Sequence, residues 1–193
     1  MARRKYEFRP DKVKTDFLGK LYLTPQQKKN LLRWLLFSLL LLVVSVSQDV
    51  LFSKLEFLGA TTDLVPCLII VICIRVGADR GAIFTLIASM LYKFSGSAPD
   101  YYSMALIPVL ALFAAMLRQN YFRRSFGSVF LCATLAMVAY EMCVFLFGLV
   151  FANTVPQRAI RFLLTGIFSV LSLPVLYPIT RAIDKIGEKT WKD

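Results

Sequence analysis

Glu141 raises the question of chemistry first. It stands in a long apolar stretch, residues 127–151, two positions past the midpoint. A carboxylate near the centre of a bilayer costs ~2.5 kcal/mol or more, so it must face protein, water or a partner. At helical steps of four and seven, Thr134, Met137, Phe145 and Gly148 share its face. Small, polar and soft residues of this kind line helix contacts in membranes. Glu141 is then an internal hydrogen-bonding strut, a contact with another subunit's membrane helix, or part of a ligand pocket. The residues alone leave these three open. Its neighbour Tyr140 points about 100° away around a helix and need not share its partner.

The second candidate is Ser89 with Lys93, one helical turn apart. A Ser/Lys pair can do nucleophilic catalysis, but nothing nearby supplies an oxyanion hole. The same four-residue spacing takes in Gly81 and Thr85. Gly81, Thr85 and Ser89 make a small ridge suited to close helix packing, with the Lys93 stem snorkelling to the boundary. Ala111 and Ala115 repeat the pattern. The chain has no histidine, which removes His-based triads, His-ligated zinc and His proton shuttles. There is no Gly-rich phosphate loop, no Gly-x-Ser-x-Gly elbow and no carboxylate pair within one apolar segment. Cys67, Cys73, Cys132 and Cys143 lie in apolar segments without a Cys-x-x-Cys pair and read as packing residues. No disulfide, metal or cofactor is expected, and no enzyme.

The elements that position these residues follow from composition. The 193 residues are 58% apolar and 18% charged, against about 45–50% and about 25% in a soluble domain. Six apolar segments stand out, at residues 31–47, 64–76, 81–94, 101–117, 127–151 and 162–180. A spanning helix needs about 20 apolar residues, so the second and third are short. They read as a hairpin turning at Gly77 and Gly81. The expected fold is an all-α membrane protein, a six-helix transmembrane bundle over residues 24–186. A basic N-terminal tail, residues 1–23, precedes it, and a C-terminal tail, residues 187–193, follows.

Charge placement gives the orientation. With both termini inside, the four inner segments hold 10, 2, 3 and 4 basic residues, and only Lys54, Lys93, Arg158 and Arg161 fall outside. That 19-to-4 division supports an even number of spans. It also explains the net charge of +11 by the anionic cytoplasmic leaflet, without nucleic acid. Thr24, Pro25 and Gln27 read as a capped helix start. Ser45-Val46-Ser47 has cleavage-like spacing, but about 30 residues precede the apolar run, too many for an ordinary leader. An uncleaved anchor is expected. Gln48 and Asp49 lie at the outer end of the first helix, and Thr61, Thr62 and Asp63 offer caps to the second, with Pro66 in its first turn. Pro174 and Pro178 each remove a backbone donor, which predicts a kink or unwound turn between Val170 and Pro178.

The pattern resembles the bacterial rod-shape-determining MreD family over residues 31–186. The matches are Gln48 ending the first span, Gly59 followed by Asp63-Leu64, Arg75 before the Gly77/Gly81 turn, the buried Tyr140-Glu141 pair, and Pro174 in the last span. It departs at Thr62, where the family usually has proline, and at Lys93, where it often has an aspartate whose role is not carried over. The resemblance implies a non-enzymatic scaffold or regulator of the cell-elongation, peptidoglycan-synthesis machinery in the bacterial cytoplasmic membrane. Its implied partners are an MreC-like bitopic protein, an MreB-like filament, a RodA-like glycosyltransferase and a class B penicillin-binding protein. It also implies a fold similar to the substrate-binding subunits of energy-coupling-factor transporters. The alternative function, a vitamin or small-solute binding subunit of such a transporter, shares that fold. Those subunits resemble one another in an Ala-x-x-x-Ala motif on the first helix, and the first segment here has no alanine.

Overall fold

The structure, a computed structural model, describes residues 25–50, 62–96, 98, 101–122, 125–151 and 155–187. The N-terminal tail, Thr24, the loop containing Lys54, Gly59 and Thr61, and the last six residues lie outside the described residues. Every apolar segment is helical: α1 (Pro25–Val50), α2 (Leu64–Val76), α3 (Ala78–Phe94), α4 (Ser103–Tyr121), α5 (Phe126–Phe151), α6 (Ala159–Leu171) and α7 (Leu173–Gly187). One 3-10 turn, Pro156–Arg158, leads into α6. No strand occurs among the described residues.

The chain is an all-helical membrane protein. α1, α4 and α5 are each long and apolar enough to cross a bilayer, and α6 with α7, bent by 47°, forms either a broken fourth span or a re-entrant pair. α2 has 13 residues, about 20 Å at 1.5 Å per residue, and falls short of a hydrocarbon core about 30 Å thick. The second segment, read from the sequence as short for a span, is a short helix. α2 is the core of the bundle. It touches every other helix, and all eleven residues from Leu64 to Ile74 are buried. That environment accounts for its sequence, since a helix covered all round has no polar face to show.

The α2–α3 hairpin turns on one residue, Gly77, with φ +102°. A side chain there is strained by the backbone, and a Cβ would stand 2.7 Å from Gln119 Nε2. One turn later, a Cβ on Gly81 would stand 2.7 Å from Cys73 Sγ and 3.1 Å from Cys73 Cα. Gly81 thus lets α3 lie against the backbone of α2. Thr85 and Ser89 continue this buried ridge. Ser89 Oγ reaches Leu86 O at 2.9 Å and Met104 O, on α4, at 3.0 Å. Ala111 and Ala115 are buried in the same way on α4.

The break between α6 and α7 falls at Ser172, within the interval the prolines mark. The Ser172 carbonyl accepts from Val175 N at 3.0 Å and Leu176 N at 3.1 Å, and its hydroxyl donates to Ser169 O at 2.6 Å. Pro174 sits in the first turn of α7, where its missing N–H costs little. Pro178 lies inside α7 without ending it, a correction to its reading as a break.

Candidate functional site

Two buried polar junctions hold α2, one at each end. The first gathers residues from four elements. Gln48, 7% exposed, ends α1. Its Oε1 accepts the Val65 N–H at 2.9 Å, and its Nε2 donates to Asp63 Oδ1 at 3.4 Å. Asp63 holds the cap position of α2 but makes no side-chain cap bond; Gln48 caps the helix from outside. The Asp63 N–H donates to Ser169 Oγ at 2.8 Å, and that hydroxyl in turn donates to the Thr165 carbonyl of α6 at 2.7 Å.

Glu141 enters this junction from α5. It is 2% exposed, and its carboxyl lies within electrostatic range of that of Asp63. Gly166 makes the room: a Cβ there would stand 3.2 Å from Glu141 Cγ and 3.7 Å from Val138 Cα. The Glu141 Oε1 and the Tyr140 hydroxyl are buried and have no partner among the described residues. Tyr140 lies within electrostatic range of Asp63, Glu141, Tyr92 and Tyr102, so the two neighbours share one polar region despite their angular separation. Asp63 and Glu141 come from different segments, in keeping with the absence of a carboxylate pair within one. The Glu141 face is turned inward, against Gly166 of α6, a placement that favours the internal strut over the lateral contact. Thr134 stays apart: its hydroxyl donates to Phe130 O of its own helix at 2.8 Å.

The second junction lies at the end of the bundle where α1 begins and α7 finishes. Asp184 on α7 holds two arginines, Arg75 Nη2 at 2.9 Å and Arg33 Nη1 at 3.5 Å. Arg75 also donates to the Tyr177 hydroxyl at 3.4 Å and lies 5.3 Å from that ring's centre. Arg118, from the last turn of α4, donates to the Ile74 carbonyl near the end of α2. Arg33 Cζ stands 5.1 Å over Trp34, which stacks on Phe84 at 5.4 Å. Lys93, at the opposite end, sits 4.3 Å over the Tyr101 ring.

Sequence reasoning placed Gln48, Asp63, Arg75 and Glu141 without joining them. It missed Ser169, Thr165, Gly166, Arg33 and Asp184. Asp184 had a signal, being a lone acid between Arg181 and Lys185. The cysteines are free, with Cys67, Cys73 and Cys132 buried. Among the described residues no three His, Cys, Asp or Glu side chains could together hold a metal ion. Compared with protein-family models, curated proteins and solved structures, the chain matches none.

Proposed function

We propose that the chain is a non-enzymatic scaffold of a bacterial cell-elongation complex, working by lateral contact within the cytoplasmic membrane. One observation carries this reading, the two-faced surface of α1. Arg33, Phe37, Leu41, Val44 and Gln48 are buried against the bundle. Leu31, Leu35, Leu39, Leu42, Val46 and Val50 follow the same spacing along the other side and are exposed. A continuous Leu/Val ridge of helical periodicity suits a bitopic partner's single helix, read as knobs at every third or fourth position. The ordered matches to the MreD family support the same reading, with both termini cytoplasmic and an MreC-like protein as the partner. The polar chemistry inside the bundle is directed at its own helices, since Gln48 and Ser169 bond the start of α2 from α1 and α6.

A photo-crosslinker at Leu39 tests this against one at Val109, on the exposed side of α4. Crosslinking to an MreC-like bitopic protein from Leu39 and not Val109 is expected. Equal yields from both positions, or none from Leu39, overturn the assignment of α1 as the docking face.

A further inference from the structure

The junction around Asp184 opens into a cavity of about 410 Å³ between α2, α4, α5 and α7. Arg75, Arg118, Arg181 and Lys185 line it, with Asp184 as the acid among them. Both Asp184 oxygens are engaged, Oδ1 by Arg33 and Oδ2 by Arg75, so the carboxylate does not neutralise Arg181 and Lys185. The Arg75 Nε is buried without a partner among the described residues. The start of α5 borders the same space through Ser125 and Phe126. A helix N-terminus carries about half a positive charge. Four guanidinium or ammonium groups thus line the cavity beside one acid and the start of a helix, a field that favours an anion with several acceptor oxygens.

Depth selects the kind of anion. Phe126 and Val129 form an apolar wall, and Phe126 packs edge-on to Tyr177 at 4.8 Å. Tyr121, Phe122 and Phe126 are exposed beside it, where the apolar helices α4 and α5 meet. Aromatic side chains gather at membrane–water boundaries, and basic pockets between helices at that depth suit phospholipid head groups. We infer that this cavity binds the head-group phosphate of an anionic phospholipid, with Arg181 and Lys185 at its mouth and Arg75 at its floor.

Arg181 and Lys185 are exposed, so the double variant R181Q/K185Q should fold as the parent does. R158Q/R161Q, at the opposite end of the bundle, removes the same charge. Native mass spectrometry of the full chain would count bound phosphatidylglycerol and phosphatidylcholine. The expected result is phosphatidylglycerol retained at least tenfold over phosphatidylcholine. That preference should fall at least fivefold in R181Q/K185Q and hold in R158Q/R161Q. Equal loss in both variants would mean general surface charge and overturn the site, as would no preference in the parent. Displacement of the lipid by glycerol 3-phosphate at matched concentration would make the ligand a soluble phosphate and overturn the lipid assignment. An unfolding midpoint equal to the parent's confirms that any loss is one of binding.

Discussion

Asp184 bears two arginines, and that arrangement predicts an order of effects. Asp184→Asn keeps the shape and removes the charge, leaving Arg33 and Arg75 close together, with side chains 7% and 14% exposed. Breaking a buried pair from one side costs about 3–5 kcal/mol, because the remaining charge is left uncompensated. At about 2–4 °C per kcal/mol for a chain of this size, the unfolding midpoint should fall by roughly 6–20 °C. Arg75→Gln should cost less, since Asp184 keeps Arg33. Arg33→Met should be nearly neutral: its Nε and Nη2 are already buried without a partner among the described residues, and its contact with Asp184 is the longer one at 3.5 Å. The assay is thermal unfolding of the purified full chain in one detergent, followed by intrinsic fluorescence. D184N within 2 °C of the parent, or R33M more damaging than D184N, would falsify the view that Asp184 is the centre of the junction.

Three further outcomes follow from single side chains. Gln48→Leu strips the Val65 N–H of its acceptor and should cost about 1–3 kcal/mol, read as a lower unfolding midpoint; an unchanged midpoint means α2 is capped some other way. Gly81→Ala should destabilise by about 1–3 kcal/mol through overpacking, and Cys73→Ala should rescue it only in part, because the Cys73 Cα and carbonyl remain 3.1 and 3.3 Å from the new methyl. Full rescue would show that the thiol alone sets the spacing. Glu141→Leu should lower stability and partner binding together, as an internal strut requires, whereas loss of binding at parental stability would return Glu141 to the surface.

The helices were legible because apolar runs in a membrane protein are helices almost by necessity, every backbone group needing an internal partner. The start of α2 at Leu64 and its end at Val76 were readable from Asp63 and Gly77. The role of α2 was not, since an all-apolar run does not tell lipid from protein as its surroundings. Gln48 and Asp63 read as separate caps because their bond joins the end of one helix to the start of the next. Glu141 was visible as a misplaced charge, but its seat depends on Gly166, 25 positions on, and a glycine in an apolar helix announces only close approach. Ser169 was hidden for the same reason, as a hydroxyl that bonds the Thr165 carbonyl of its own helix until the fold supplies Asp63 as a neighbour. The second junction was obscured by charge placement itself: Arg33, Arg75 and Arg118 were counted for orientation, and Asp184 was not weighed against them.

The scaffold reading is tested most directly by depleting this chain in its native cell and measuring cell shape. The account predicts that rods widen and round while growth on a medium supplied with vitamins does not restore them. Cells that keep their rod shape, or that recover it when a vitamin is added in excess, would contradict it and point to solute uptake instead.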